Sequence, residues 1–225
     1  MGREARLARW LALAALACGS GLSAAQSGEL WQEGDVLVSR REPLDAVLGW
    51  KLTFTEETVN PSSGELKSKV QHRWAPWLET AATYKFSHAR GRNGNGSSAH
   101  AIELDLVPSW KSGDTGRLSL TQRIAGVRLF EAAPARYRYH MIPKLTRPAA
   151  WLRGQTGVEA SAEAIYDLTG SEWVEIKLTP LRMQFSAGPG RGWWLAYLMN
   201  DKRGSEMAQW RRIHVVAVGV VFGGR

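Results

Sequence analysis

Apolar and polar residues alternate along this chain with a period of two, segment after segment, with nothing between that reads as a long helix. In LGWKLTFTEE, Leu48, Trp50, Leu52 and Phe54 alternate with Gly49, Lys51, Thr53 and Thr55. In ELKSKVQHRW, Lys67, Lys69, Gln71 and Arg73 oppose Leu66, Val70 and Trp74. In AIELDLV, Ile102, Leu104 and Leu106 oppose Glu103 and Asp105, and in GRLSLTQRIAG, Leu118, Leu120 and Ile124 oppose Arg117, Ser119, Thr121 and Arg123. RYRYHM sets Tyr137, Tyr139 and Met141 against Arg136, Arg138 and His140. VEASAEAIYDL sets small or apolar residues against Glu159, Ser161, Glu163 and Asp167. Successive side chains of a strand point to opposite faces, so each segment is a strand with one apolar and one polar face.

Stretches rich in Gly, Pro, Asn, Asp and Ser, such as NPSSG, KSGDTG, LTGSE and AGPGRG, separate these runs as turns. The boundaries place strands near 29–39, 45–57, 65–74, 77–88, 99–110, 116–130, 135–146, 155–168, 172–185, 192–202 and 208–222. Most run to ten residues or more, about twice the length of an average globular strand, and at ~3.3 Å per residue and ~45° of tilt they cover an apolar band of ~25 Å. Eleven segments result, whereas bacterial single-chain outer-membrane barrels carry an even number. The expected fold is therefore an all-β, antiparallel, up-and-down transmembrane β-barrel of ten to twelve strands, twelve favoured.

The N-terminus bears on the surrounding solvent. Residues 1–25 have a basic start (Arg3, Arg6, Arg9), an apolar stretch from Trp10 to Cys18 and a small-residue end at Ser23, Ala24 and Ala25, which is the layout of a cleaved secretory signal. The apolar stretch is too short to cross a bilayer as a helix, which needs about 20 residues. A lipoprotein reading at Cys18 meets Ala15 where leucine is usual. Cleavage before Gln26 leaves residues 26–225 as one domain and removes the only cysteine, so disulfides, thiolate metal sites and cysteine nucleophiles are not expected. It also removes three arginines and one glutamate, lowering the formal net charge from +8 to +6.

Alternation does not say which face is outside, since a soluble ligand-binding barrel turns its apolar face inward and a membrane barrel turns it to lipid. Three features favour lipid. An exported chain with so little helix can span a membrane only as a closed barrel, which satisfies every backbone group. Many of the eleven tryptophans stand beside turns (Trp74, Trp77, Trp110, Trp173, Trp193 and Trp194), as in an interfacial aromatic girdle. The polar faces mix cations with carboxylates in mid-strand, as an enclosed lumen requires. In the closing HVVAVGVVF, Val216, Val218, Val220 and Phe222 are expected to face acyl chains, with Val215, Ala217 and Gly219 turned inward to make room for lumen side chains. A basic chain with interleaved aromatics also suits nucleic acid, but export makes that partner a poor one.

The order of segments, with ELW at the opening, a Glu within AIELDLVP, then LTQRIAGVRLF, RYRYHMIPKLTRP, ASAEAIYDL and a closing RRIHVVAVGVVF, resembles an uncharacterised family of exported barrels, catalogued as domain of unknown function 2490. The resemblance implies an outer-membrane barrel and brings no catalytic residue, cofactor or substrate.

For chemistry, a hydrolase needs a nucleophile held by a base. None of the five histidines (His72, His88, His100, His140, His214) has a serine two residues on, the arrangement of lipid A deacylases, and no metal-spaced cluster appears. No cofactor or metal is expected. The better lead is a charged lumen: Arg73, Arg117, Arg123, Arg136, Arg138, Lys51, Lys67 and Lys69 share the inward parity with Glu103, Asp105, Glu159, Glu163 and Asp167. Acidic and basic segments are separate in sequence, so they are expected to face one another across the barrel. Two outcomes follow: the charges pair and fill a narrow lumen, or cations line an aqueous path for small anionic solutes. The expectation is a non-enzymatic outer-membrane barrel, structural or weakly pore-forming, in contact with outer-membrane lipid, lipopolysaccharide and the barrel-assembly machinery. A barrel-embedded lipid or lipopolysaccharide hydrolase and a soluble periplasmic binding barrel are the alternatives.

Overall fold

The structure is a computed structural model that describes residues 27–55, 61–90, 95–113, 115–129, 135–203 and 210–223. The signal reading of residues 1–25, with Cys18, lies outside the described residues. Eleven strands are described: β1 (Ser27–Arg41), β2 (Leu44–Thr55), β3 (Ser63–Ala75), β4 (Leu78–Arg90), β5 (Gly96–Ser112), β6 (Gly116–Leu129), β7 (Arg136–Arg147), β8 (Gln155–Asp167), β9 (Glu172–Gly188), β10 (Arg191–Arg203) and β11 (Trp210–Gly223). They lie in chain order around a closed barrel. The eleven segments read from turn chemistry each correspond to one of these strands, and the observed strands of 12 to 17 residues overrun several of the expected ends.

The even strand number is not met, and the seam explains how the barrel closes without it. Ten consecutive pairings are antiparallel, so β1 and β11 run in the same direction. They pair in parallel, with Ser27 beside Ile213 and Leu37 beside Gly223. Every strand thereby has two neighbours and no edge is left to recruit another chain.

Tight turns gather at one end of the barrel. Between β9 and β10, Gly188-Pro189-Gly190-Arg191 puts Pro where φ near −65° is wanted and Gly190 at φ 65°, the turn that needs glycine third. This end will be called the turn end.

The two faces separate as the alternation requires. On β5, Ile102 and Leu104 are 61% and 58% exposed on the outside, while Glu103 and Asp105 are each 5% exposed inside. Leu66, Val70, Leu118 and Ile124 extend the apolar exterior. On β11, Ile213, Val215 and Ala217 are buried inward while Val216, Val218 and Val220 lie on the other face. Gly219 also points inward, and a Cβ there would overlap the Trp194 indole. That contact is the room for a neighbour's side chain that the small inner face predicts.

The tryptophans divide more finely than their positions beside turns suggest. Trp74, Trp77, Trp110 and Trp151 are exposed around the turn end, and Trp173 and Trp210 are exposed at the other. Trp194 departs from the expected girdle: adjacent residues on a strand face opposite ways, so Trp193 stacks outside on Phe185 while Trp194 is buried within the barrel.

Candidate functional site

The interior has two arcs of different chemistry. Across β10, β11 and β1 it is apolar, with Trp31, Trp194, Ala196, Ile213, Val215 and Ala217 in one buried cluster and Leu198 packed against it. Across β2 to β9 it is ionic, and β1 and β10 contribute residues to both arcs. The recurring unit there is one carboxylate held between two basic side chains. Glu103 lies 2.8 Å from Lys85 and 3.1 Å from Arg123. Glu163 lies 2.7 Å from His140 and 3.0 Å from Lys177. Glu159 lies 3.7 Å from both Lys144 and Arg182, and Glu79 lies 3.6 Å from Arg73 and 3.2 Å from Arg117.

This arrangement follows from register. β5 and β8 carry acids at mid-strand, and each is flanked by strands that carry cations: β4 and β6 around β5, β7 and β9 around β8. Inward residues opposite one another in a ladder are ~5 Å apart, within reach of long side chains. Arg123 stands beside Asp105, and Lys177 beside Glu163, in the pairing. The expectation that acidic and basic strands meet across the barrel is thus replaced by pairing along the wall. Lys85, Lys144, Lys177, Arg182 and Lys202 supply much of the cationic side.

The strongest unit joins three expected site residues. Arg123 donates from Nε and Nη2 to the two Asp105 oxygens at 2.6 and 3.0 Å, while Nη1 is 3.1 Å from Glu103. A planar guanidinium delivers such a fork where an ammonium cannot. Lys67 reaches past β2 to Asp35 of β1 at 2.7 Å. It passes over Gly49, where a Cβ would overlap both partners, so glycine is needed for the pair to form. Lys177 also approaches Glu175 at 3.7 Å, and Glu175 is 3.8 Å from Lys202 of β10. The ionic arc therefore runs from β1 to β10 and stops where β11 turns apolar.

The other expected residues are more peripheral. Arg73 belongs to the Glu79 unit near the turn end. Arg138 sits beside Asp167 in the register, and its buried Nε has no hydrogen-bond partner among the described residues. Arg136 is exposed at the start of β7. His140 donates or accepts at Nδ1 toward Glu163, and its buried Nε2 has no partner among the described residues. That is a base and an orienting acid with no hydroxyl joined to them. His72 and His214 lie outward, as their parity predicts; Tyr197 bonds His214, and Tyr84 bonds His100.

Sequence reasoning missed the cations of β4 and β9. ETAATYK and EWVEIKLTP carry the needed parity, with Glu79, Lys85, Glu175 and Lys177 all on inward positions. The mixed apolar and ionic interior was visible only in part, through the small inner face of the last strand.

Among the described residues, no group of three or more His, Cys, Asp or Glu is placed to hold a metal ion. No family model matches the chain, and no curated protein or solved structure matches it either.

Proposed function

We propose that the chain is a non-enzymatic outer-membrane barrel with a structural role, whose lumen is largely filled by its own paired charges. The observation that carries this reading is the sorting of faces: leucines and isoleucines stand exposed around the outside while buried carboxylates and their cations are enclosed. In water this arrangement would leave large apolar side chains unburied along strand after strand; in hydrocarbon it is the stable one. The aromatic positions at the two ends support it. Trp210 and Phe222 stand at opposite ends of β11, about 28 Å apart along the barrel axis at ~3.3 Å per residue and ~45° tilt, close to the ~25 Å apolar band of such barrels.

The filled lumen is favoured over an anion path because Lys67, Lys85, Arg123 and Lys177 already have carboxylate partners at close range, leaving limited field for a passing anion. Conduction is therefore weak in this reading. Contact with outer-membrane lipid and lipopolysaccharide, insertion by the barrel-assembly machinery and kinship with the exported barrel family belong to the same proposal.

Fractionation of cells expressing the full chain, followed by planar-bilayer recording on the purified protein, tests it. The expected result is recovery in the outer membrane, release by detergent alone, migration on a gel that shifts on heating, and little or no conductance. Recovery in the aqueous periplasmic fraction overturns the membrane reading, and large anion-favouring conductance overturns the filled lumen.

A further inference from the structure

A cavity of about 910 Å³ opens at the turn end. Its inward-facing lining is Leu37 of β1, Val47 of β2, Val221 of β11 and Trp194 of β10, with Arg182 and Gln184 of β9. This is the mouth of the apolar arc, so greasy walls surround Arg182, with Arg191 also on the lining at the start of β10.

Arg182 is bound differently from Arg123. Where Arg123 directs its donors in a fork on Asp105, the Arg182 guanidinium carbon lies over the Trp194 ring, 3.8 Å from its centroid. Its nearest carboxylate, Glu159, is 3.7 Å away, beyond hydrogen-bond length, and is shared with Lys144. The Arg182 Nε has no hydrogen-bond partner among the described residues, and the side chain is 29% exposed. Glu159 is not on the cavity lining, and the acid that is, Asp35, is already held by Lys67 at 2.7 Å. The protein thus answers the charge and donors of Arg182 only in part, while an aromatic face holds the side chain in place.

We propose that this vestibule binds a small amphipathic anion, its carboxylate, sulfonate or phosphate on Arg182 and its apolar body against Leu37, Val47, Trp194 and Val221. Pockets of ~300–1,000 Å³ suit ligands of this size, and a few fixed polar groups in apolar walls set their orientation. A guanidinium pinned on an aromatic ring is pre-organised for an oxyanion, so little side-chain entropy is lost on binding. The inference concerns the interior of the barrel and stands whether lipid or water surrounds it.

The test is calorimetric titration of the purified, folded full chain in lipid nanodiscs with 2-naphthoate, with 2-naphthalenemethanol and inorganic phosphate as comparison probes. Identical nanodiscs carrying R182Q cancel the partition of the probe into lipid. R211Q removes an exposed positive charge at the far end and controls for bulk attraction. One saturable naphthoate site per barrel is expected, weakened roughly tenfold or more by R182Q and unchanged by R211Q, in line with the loss of a charge-assisted hydrogen bond. V47W, which fills the cavity and keeps Arg182, should abolish the site and covers the case in which R182Q does not fold. Equal binding to wild type and R182Q, or to wild type and V47W, overturns the proposal. Phosphate binding as tightly as naphthoate overturns the part assigned to the apolar walls, and the alcohol binding as tightly overturns the part assigned to Arg182. Heat-shifted migration of the same samples reports the barrel separately, so failure of the site is distinguishable from failure of the membrane reading.

Discussion

A carboxylate between two cations is a unit that tolerates neutral replacement of the whole better than loss of one member. Removing Arg123 alone leaves Glu103 with Lys85 but strands Asp105, 5% exposed, without its fork. Arg123→Ala is expected to destabilise the barrel by roughly 3–5 kcal/mol, and the double change R123M/D105L by far less, measured as urea unfolding in detergent micelles. A steric counterpart lies on the apolar arc. Gly219→Ala pushes a methyl into the Trp194 ring and is expected to cost ~1–3 kcal/mol, whereas Gly64→Ala, whose nearest neighbour is Leu52 Cδ2 at 3.6 Å, stays within ~0.5 kcal/mol by the same assay. The inward parity of Arg123, Glu103 and Asp105 was legible because the strand period is two. Their partnership was not, since which inward cation meets which inward acid is set by register between strands, and no single segment carries that information.

At the scale of elements, strand spans were legible because Gly and Pro punctuate them, as at Gly188-Pro189-Gly190, where one turn chemistry fits. Closure was not: an even count follows from a purely antiparallel meander, and only the seam reveals that β1 and β11 run in the same direction. The seam register places Gln32 beside Val218. Strand neighbours stand ~4.8 Å apart, inside the Cα separation a disulfide accepts. In a Cys18→Ser background, Q32C/V218C is therefore expected to oxidise to a cross-linked barrel whose unfolded form migrates faster without reductant. Q32C/V216C, one pleat out of register on the same face, should cross-link poorly. Equal cross-linking of both pairs would refute this closure.

For the whole molecule, the organising fact is that an ionic arc and an apolar arc share one enclosed interior while the exterior carries large exposed apolar side chains on strand after strand. The exterior was legible from alternation plus the placement of Trp74, Trp77, Trp110 and Trp173. The apolar arc was not, because Trp194 reads as a girdle residue until its inward direction is known, and nothing in ELW marks Trp31 as inward. On the proposed reading, Leu66, Leu104 and Ile124 point into hydrocarbon. Spin labels at these three positions, in protein reconstituted into phospholipid vesicles, test it most directly by comparing relaxation from oxygen with relaxation from a water-soluble nickel chelate. Strong oxygen and weak nickel relaxation are expected at all three. Strong nickel relaxation at these sites in the folded barrel would contradict it.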